Sequence, residues 1–109
     1  MSGETENLDI DEKINNTVLQ YVGNTPLVRV STSHEIPDKV EIYAKLEYLN
    51  PGGSVKDRPV LRMIKEAIKT GKLTHDKAIL DSTSGNAGIA YAMIGSALGY
   101  EVDLVIPGN

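Results

Sequence analysis

The chain has 109 residues, of which 40% are hydrophobic and 24% are charged, and its formal net charge is −4. This length allows one small domain, and the composition excludes a disordered or fibrous protein. The acidic balance argues against a nucleic-acid partner, because binding to a phosphate backbone needs clustered Lys and Arg. The sequence has no cysteine, which excludes disulfides and thiolate metal sites.

The first eight residues are acidic and polar. We expect residues 1–8 to form a flexible tail and residues 9–109 to form the domain. A secretory signal would need a basic start and an apolar core, which are missing here. The longest apolar stretch, around Gly88 to Leu98, is about ten residues, well short of the ~20 that span a bilayer. These features favour a cytoplasmic protein without a membrane partner.

Apolar residues recur every four positions from Ile10, which predicts an amphipathic helix that ends near Gly23. Asp9 or Asp11 is expected to cap its start. A turn and a short β-type run at residues 27–30 follow. The sequence thus predicts a helix and a strand before the first loop.

Apolar and polar residues alternate strictly from Val40 to Glu47, which predicts a strand with one buried face. The segment NPGGS then breaks the strand. Ser54 followed by Asp57 matches a capping box, so we expect a helix to begin at Ser54. Gly71 is expected to end that helix.

A second cycle follows, with a strand at residues 78–82, a helix that closes at Gly99 and a strand at residues 102–106. Strands separated by single helices pair in parallel through crossovers, so the sequence predicts an α/β fold with a parallel sheet. Parallel sheets need helices on both faces, and few helices are available here. We therefore expect the chain to be an incomplete part of a larger fold.

The first unusual junction is NPGGSVKDR, residues 50–58. It places Lys56 in the first turn of the predicted helix, where the positive end of the helix dipole disfavours an ammonium ion. A neutral amine is what Schiff-base chemistry with a carbonyl cofactor requires. An ordinary turn and helix cap would explain the same residues. The segment does not match a Walker loop.

The second junction is STSGNAG, residues 82–88, at the carboxyl end of a predicted parallel strand. Its hydroxyls and the free amides of the next helix suit a carboxylate or a phosphate. A simple capped helix start remains an equal alternative. The sequence does not match a hydrolase elbow. His34 and His75 have no metal-type neighbours, so we expect surface histidines and no metal site.

Three segments in order resemble the start of the cysteine synthase and cystathionine β-synthase family, the fold type II pyridoxal-phosphate (PLP) enzymes. They are GNTPLVR (23–29), NPGGSVKDR (50–58) and TSGNAG (83–88). Thirty residues separate Pro26 from Lys56 (56 − 26) and Lys56 from Asn86 (86 − 56). The resemblance runs from about Val18 to the end and implies a three-layer parallel sheet, of which this chain is the N-terminal part.

The resemblance implies a role for each matching residue. Lys56 matches the lysine that holds PLP and then moves the substrate Cα proton. Asn86 matches the asparagine that bonds the 3′-oxygen of the cofactor. The residues that match the loop for the substrate carboxylate are Thr83, Ser84, Gly85, Asn86 and Ala87. The implied reaction is β-replacement on O-acetylserine by sulfide, a transferase or lyase step of cysteine biosynthesis.

Two departures from the family pattern matter. The family usually has Pro and Thr where this sequence has Ser82 and Ala87, so one hydroxyl beside the expected carboxylate is missing. The phosphate cradle of the family would lie after Asn109. We therefore expect weak PLP binding by this chain alone, and a complementary C-terminal polypeptide or a homodimer partner.

Two alternatives remain open from the sequence. A cystathionine β-synthase, which joins serine to homocysteine, would suit the same motifs. A truncated, non-catalytic relative that works in binding or assembly is the alternative from another class.

Overall fold

A computed structural model of the chain describes residues 9–31, 36–83 and 85–108. The predicted tail at residues 1–8 lies outside the described residues, as does His34. None of the helices within these ranges is long and apolar enough to cross a bilayer.

The N-terminal segment forms two short helical pieces where the sequence predicts one helix. α1 (Ile10–Asn15) is followed by a 3₁₀ turn at Val18–Tyr21. The break falls at Thr17, whose backbone is extended and whose hydroxyl accepts a hydrogen bond from the Leu19 amide at 3.1 Å. The Asp9 carboxylate caps α1 by accepting from the Asp11 amide at 3.3 Å, as predicted. A threonine that competes for backbone amides therefore splits the amphipathic pattern.

Two short strands form an antiparallel pair in the first half of the chain. β1 (Leu27–Arg29) pairs with β2 (Tyr43–Lys45), and Val28 lies opposite Ala44. The prediction that this second strand joins the later strands in one parallel sheet is wrong. The predicted buried face is also only partly buried, since Val40 and Ile42 are exposed.

The second half of the chain forms the predicted α/β unit. Its elements in order are α2 (Asp57–Lys69), β3 (Ala78–Ser82), α3 (Asn86–Leu98) and β4 (Glu101–Val105). β3 and β4 pair in parallel, with Leu80 opposite Asp103. Gly99 ends α3 in the left-handed conformation, as a glycine after a helix commonly does. The α/β class is thus confirmed, with two separate two-stranded sheets in the described part of the chain.

One apolar cluster joins the helices to the sheet. Its buried members are Ile10, Leu19, Val60, Ile64, Ala90, Ile94 and Leu98. The cluster joins α2 and α3, and Ile79 of β3 packs against it. The opposite face of the sheet is open, since Leu80 is 70% exposed and Val105 is 57% exposed. The molecule measures only 21 Å along its shortest axis.

Candidate functional site

Lys56 lies immediately before α2, at the N-cap position, and its side chain is exposed. The Ser54 hydroxyl accepts a hydrogen bond from the Lys56 amide at 3.1 Å. The predicted helix start at Ser54 is three residues too early, because Asp57 is the first helical residue. Lys56 is therefore held at the beginning of a helix, close to where the sequence places it.

The predicted capping box does not form. The Asp57 side chain is fully buried and accepts a hydrogen bond from the Gly52 amide at 2.6 Å. The carboxyl group thus reaches back over five residues and closes the loop that carries Lys56. A turn around a buried carboxyl group replaces the expected reciprocal cap.

A polar network connects the loop before α2 to the turn before β1. Arg58 donates to both carboxylate oxygens of Glu47, at 2.5 and 3.1 Å, and to the Thr25 hydroxyl at 3.1 Å. The Thr25 hydroxyl also donates to Glu47. The Asn50 side chain accepts from the Gly23 amide at 2.7 Å. The first two family-like motifs are therefore joined both directly and through Glu47, which the sequence motifs do not include.

Glu47 carries most of this network. Hydrogen bonds from Arg58, and then from Thr25, lower the pKa of its carboxyl group to about 2. The Asn50 amide donates to the backbone oxygen of Glu47 at 2.8 Å and to a carboxylate oxygen at 3.2 Å. Two-point binding by a planar guanidinium fixes direction as well as distance. The network therefore fixes the backbone on either side of the Lys56 loop.

The second junction links β3 to α3. The Thr83 hydroxyl oxygen accepts from the Gly88 amide at 3.1 Å and from the Gly85 amide at 3.4 Å. Among the residues that the structure describes, the Thr83 hydroxyl donates to no acceptor, so its proton is available to a bound group. A Cβ on Gly88 would lie 2.6 Å from the Thr83 methyl group, so only glycine allows this close approach. Thr83 thus shapes the loop around the start of α3.

The other predicted residues of this loop lie beside Thr83. Asn86 is the first residue of α3 and is exposed, and Ala87 follows it and is half-buried. Gly85 is the N-cap residue of α3, with φ −155° and ψ −138°. Ser84 lies outside the described residues. The amides of a first helical turn have no partner within the helix, and the helix dipole favours an anion there.

A largely apolar cavity of about 300 Å³ opens next to this loop. Its lining includes Thr83, Gly85, Gly88, Ile89, Leu104 and Ile106. Polar donors from the loop therefore adjoin an apolar wall. An anionic group at the helix start and an apolar ring or chain in the cavity would both be accommodated.

The two junctions belong to helices that share one core. Val60 and Ile64 of α2 and Ala90 and Ile94 of α3 lie in the same buried cluster. The structure thus brings Thr83, Gly85, Asn86 and Ala87 together at one junction, and holds Lys56 at the other. The His75 ring stacks on the ring of Tyr100, with the ring centres 4.3 Å apart.

Comparison with known proteins settles the family. Residues 18–109 match the sequence model of one protein family, which is described as pyridoxal-phosphate dependent enzyme. This chain belongs to that family. The resemblance to cysteine synthases is confirmed by a cysteine synthase of Aquifex aeolicus, which is 56% identical over 99 residues. That match covers 89% of this chain and 30% of the relative.

Solved structures of this PLP-dependent family show the same fold. An O-acetylserine dependent cystathionine β-synthase from Helicobacter pylori matches with a TM-score of 0.78 and 41% identity, over 85% of this chain and 31% of that one. A cysteine synthase from Entamoeba histolytica matches with a TM-score of 0.76 and 43% identity, over 80% and 27%. The chain therefore spans about 30% of the length of these relatives. The fold is that of the N-terminal part of a fold type II PLP enzyme, and the cofactor of the family is PLP.

Proposed function

We propose that this chain supplies the PLP-holding lysine and the carboxylate loop of a cysteine synthase that acts on O-acetylserine and sulfide. The observation that carries the proposal is the arrangement of two helix starts on one core. Lys56 precedes α2, the Thr83 loop precedes α3, and the two helices share one apolar cluster. An amine and an anion-binding loop on a common rigid base suit an amino-acid substrate.

Each proposed residue has a distinct task. The Lys56 amine would hold the cofactor and then carry the proton of the substrate α-carbon. The Thr83 hydroxyl and the first-turn amides of α3 other than that of Gly88, which already donates to Thr83, would hold the substrate carboxylate, where the helix dipole favours negative charge. The exposed amide side chain of Asn86 would bond the ring oxygen of the cofactor. PLP, when bound, supplies the electron sink for β-replacement.

The residues present fit part of the cofactor. Lys56 offers an exposed amine to an aldehyde, and the cavity beside the Thr83 loop, which Lys56 does not line, has an apolar wall for an aromatic ring. Since the chain spans about 30% of the length of its relatives, we further propose that a complementary C-terminal polypeptide provides the phosphate contacts, or that a homodimer partner does. The active assembly would be cytoplasmic, with small amino-acid and sulfur substrates.

PLP titration of the chain, with and without the polypeptide that corresponds to the rest of its relatives, tests the proposal. We expect a visible absorbance band, and borohydride should trap the cofactor on Lys56. Lys56→Ala should abolish both signals, whereas Lys39→Ala, at an exposed turn lysine, should preserve them. A band that survives Lys56→Ala would refute the assigned anchor.

Substrate supply separates the remaining alternatives. Sulfide with O-acetylserine should give cysteine if the proposal is correct. The similarity to the Helicobacter pylori enzyme favours a second candidate, condensation of serine with homocysteine. Homocysteine supplied in place of sulfide, with serine or O-acetylserine, should then give cystathionine. No imine band with the completing polypeptide present would instead support a non-catalytic role in binding or assembly.

A further inference from the structure

We infer that Asp57 is a positioning residue for Lys56, acting through its contact with Gly52. The inference rests on the proposed function, because it assigns Lys56 the role of anchor. Asp57 follows Lys56 directly and opens α2, so a contact that fixes the Asp57 side chain also restrains the backbone next to the lysine. The Asp57 carboxyl group accepts from the Gly52 amide at 2.6 Å and closes the loop around Lys56.

The contact between the Asp57 carboxyl group and the Gly52 amide is buried, unlike the contacts within an ordinary surface turn. The side chain has no exposed area, and one of its oxygens, Oδ1, has no hydrogen-bond partner within the described ranges. Burying a carboxyl group with an unmet oxygen costs stability. A smaller apolar residue would avoid that cost, so the contact to Gly52 and the favourable end of the helix dipole must offset it.

Gly52 is shaped to receive this carboxyl group. A Cβ built on Gly52 would lie 2.2 Å from Oδ1 of Asp57, which is an impossible contact. The neighbouring Gly53 is a glycine for another reason, because its φ is +87° and a Cβ there meets nothing within 4 Å. The two adjacent glycines are therefore needed for different reasons. Gly52 leaves space for the Asp57 carboxyl group, and Gly53 adopts the positive φ of the turn.

The loop between these contacts has its own support at Lys56. The amide of Lys56 donates to the Ser54 hydroxyl, and the amide of Val60 donates to the Lys56 oxygen at 3.2 Å. With Asp57 holding Gly52, the lysine backbone is fixed from both sides. A reacting amine that shifts by about 1 Å can lose ~10²-fold in rate, so such fixing matters for an anchor.

Trapping of PLP by borohydride, mapped residue by residue, tests the inference in the intact chain. We expect Asp57→Ala to lower the labelling rate of Lys56 relative to exposed Lys39 by roughly tenfold or more. Asp57→Asn keeps an acceptor for Gly52 and should restore the ratio. Gly52→Ala should behave like Asp57→Ala, whereas Gly53→Asn, which tolerates a positive φ, should behave like the wild type.

Amide hydrogen exchange gives a second measurement that does not depend on PLP. In Asp57→Ala, and not in Asp57→Asn, exchange of the Gly52 and Lys56 amides should accelerate. Faster exchange with an unchanged labelling ratio would overturn the inference, because Asp57 would close the loop without positioning the lysine. If wild-type Lys56 is not labelled, the proposed function fails, and the inference then concerns only the backbone of the lysine. Faster exchange of the Lys56 amide in Asp57→Ala, and not in Asp57→Asn, supports that backbone role, and any other pattern overturns it.

Discussion

The shared core of the two site helices can be tested by truncating Ile94. This side chain of α3 has no exposed area and lies in one cluster with Val60 and Ile64 of α2. Ile94→Ala removes three carbon atoms, at about 0.8 kcal/mol each, or about 2.4 kcal/mol of burial. The cavity left behind adds to this, so the free energy of unfolding should fall by about 3–4 kcal/mol.

Urea unfolding followed by circular dichroism measures the loss. Ile94→Val should cost about 1 kcal/mol, which would show that the effect grows with the volume removed. Ile89 provides a matched control on the same helix, since it is 53% exposed, and Ile89→Ala should change stability by less than about 0.5 kcal/mol. Equal losses for Ile94→Ala and Ile89→Ala would refute the assignment of Ile94 to the core.

Three further predictions concern the Glu47 network, the contact between α3 and β4, and the Thr83 loop. The pKa of Glu47 is lowered from 4.5 to about 2, so its stabilising effect is present above pH 4.5 and is lost as the pH falls towards 2. In Glu47→Gln, the free energy of unfolding should therefore fall less steeply as the pH is lowered from 4.5 towards 2. A Cβ on Gly95 would lie 2.2 Å from a Val102 methyl group, so Gly95→Ala should cost about 1–3 kcal/mol in thermal unfolding. Ala87→Thr, in the completed enzyme, should lower the KM for O-acetylserine by roughly tenfold if the added hydroxyl reaches the carboxylate.

Each of these predictions has a control. Glu66→Gln alters an exposed carboxylate that pairs with Arg62 at 3.2 Å. In this variant the free energy of unfolding should fall at low pH as steeply as in the wild type. Ser96→Ala, at an exposed position beside Gly95, should leave the melting temperature almost unchanged. Ala87→Val has the shape of threonine without its hydroxyl, so an equal gain from valine would contradict a hydrogen bond to the carboxylate.

The sequence predicted the second half of the fold well because its signals are local. The helix of residues 86–98 ends at a glycine that the pattern marks, and β3 and β4 pair in parallel as their spacing indicates. Strand pairing in the first half depends on distant partners. Residues 40–47 alternate like a half-buried strand, but nothing in that pattern says that β1 is the neighbour.

The sequence predicted where the candidate residues lie in the fold better than it predicted the contacts that support them. Lys56 and the Thr83 loop lie at helix starts, as expected, because Gly-rich breaks and capping residues mark such starts in sequence. Arg58 and Glu47 were missed, since they are eleven residues apart and resemble ordinary surface charges. The sequence pattern assigned Asp57 to a capping box with Ser54, but its carboxyl group accepts from the Gly52 amide. Both contacts need a carboxyl group at this position, so the sequence alone does not separate them.

The 21 Å thickness of the molecule has a consequence for how its backbone meets solvent. One helix layer on one sheet layer accounts for that depth, at about 10 Å each. Water therefore reaches the strands from the side that bears Leu80 and Val105. Hydrogen exchange of the β3 and β4 amides should therefore be much faster than exchange of the α3 amides on the core side. Another polypeptide bound to the open face would slow exchange in the strands selectively.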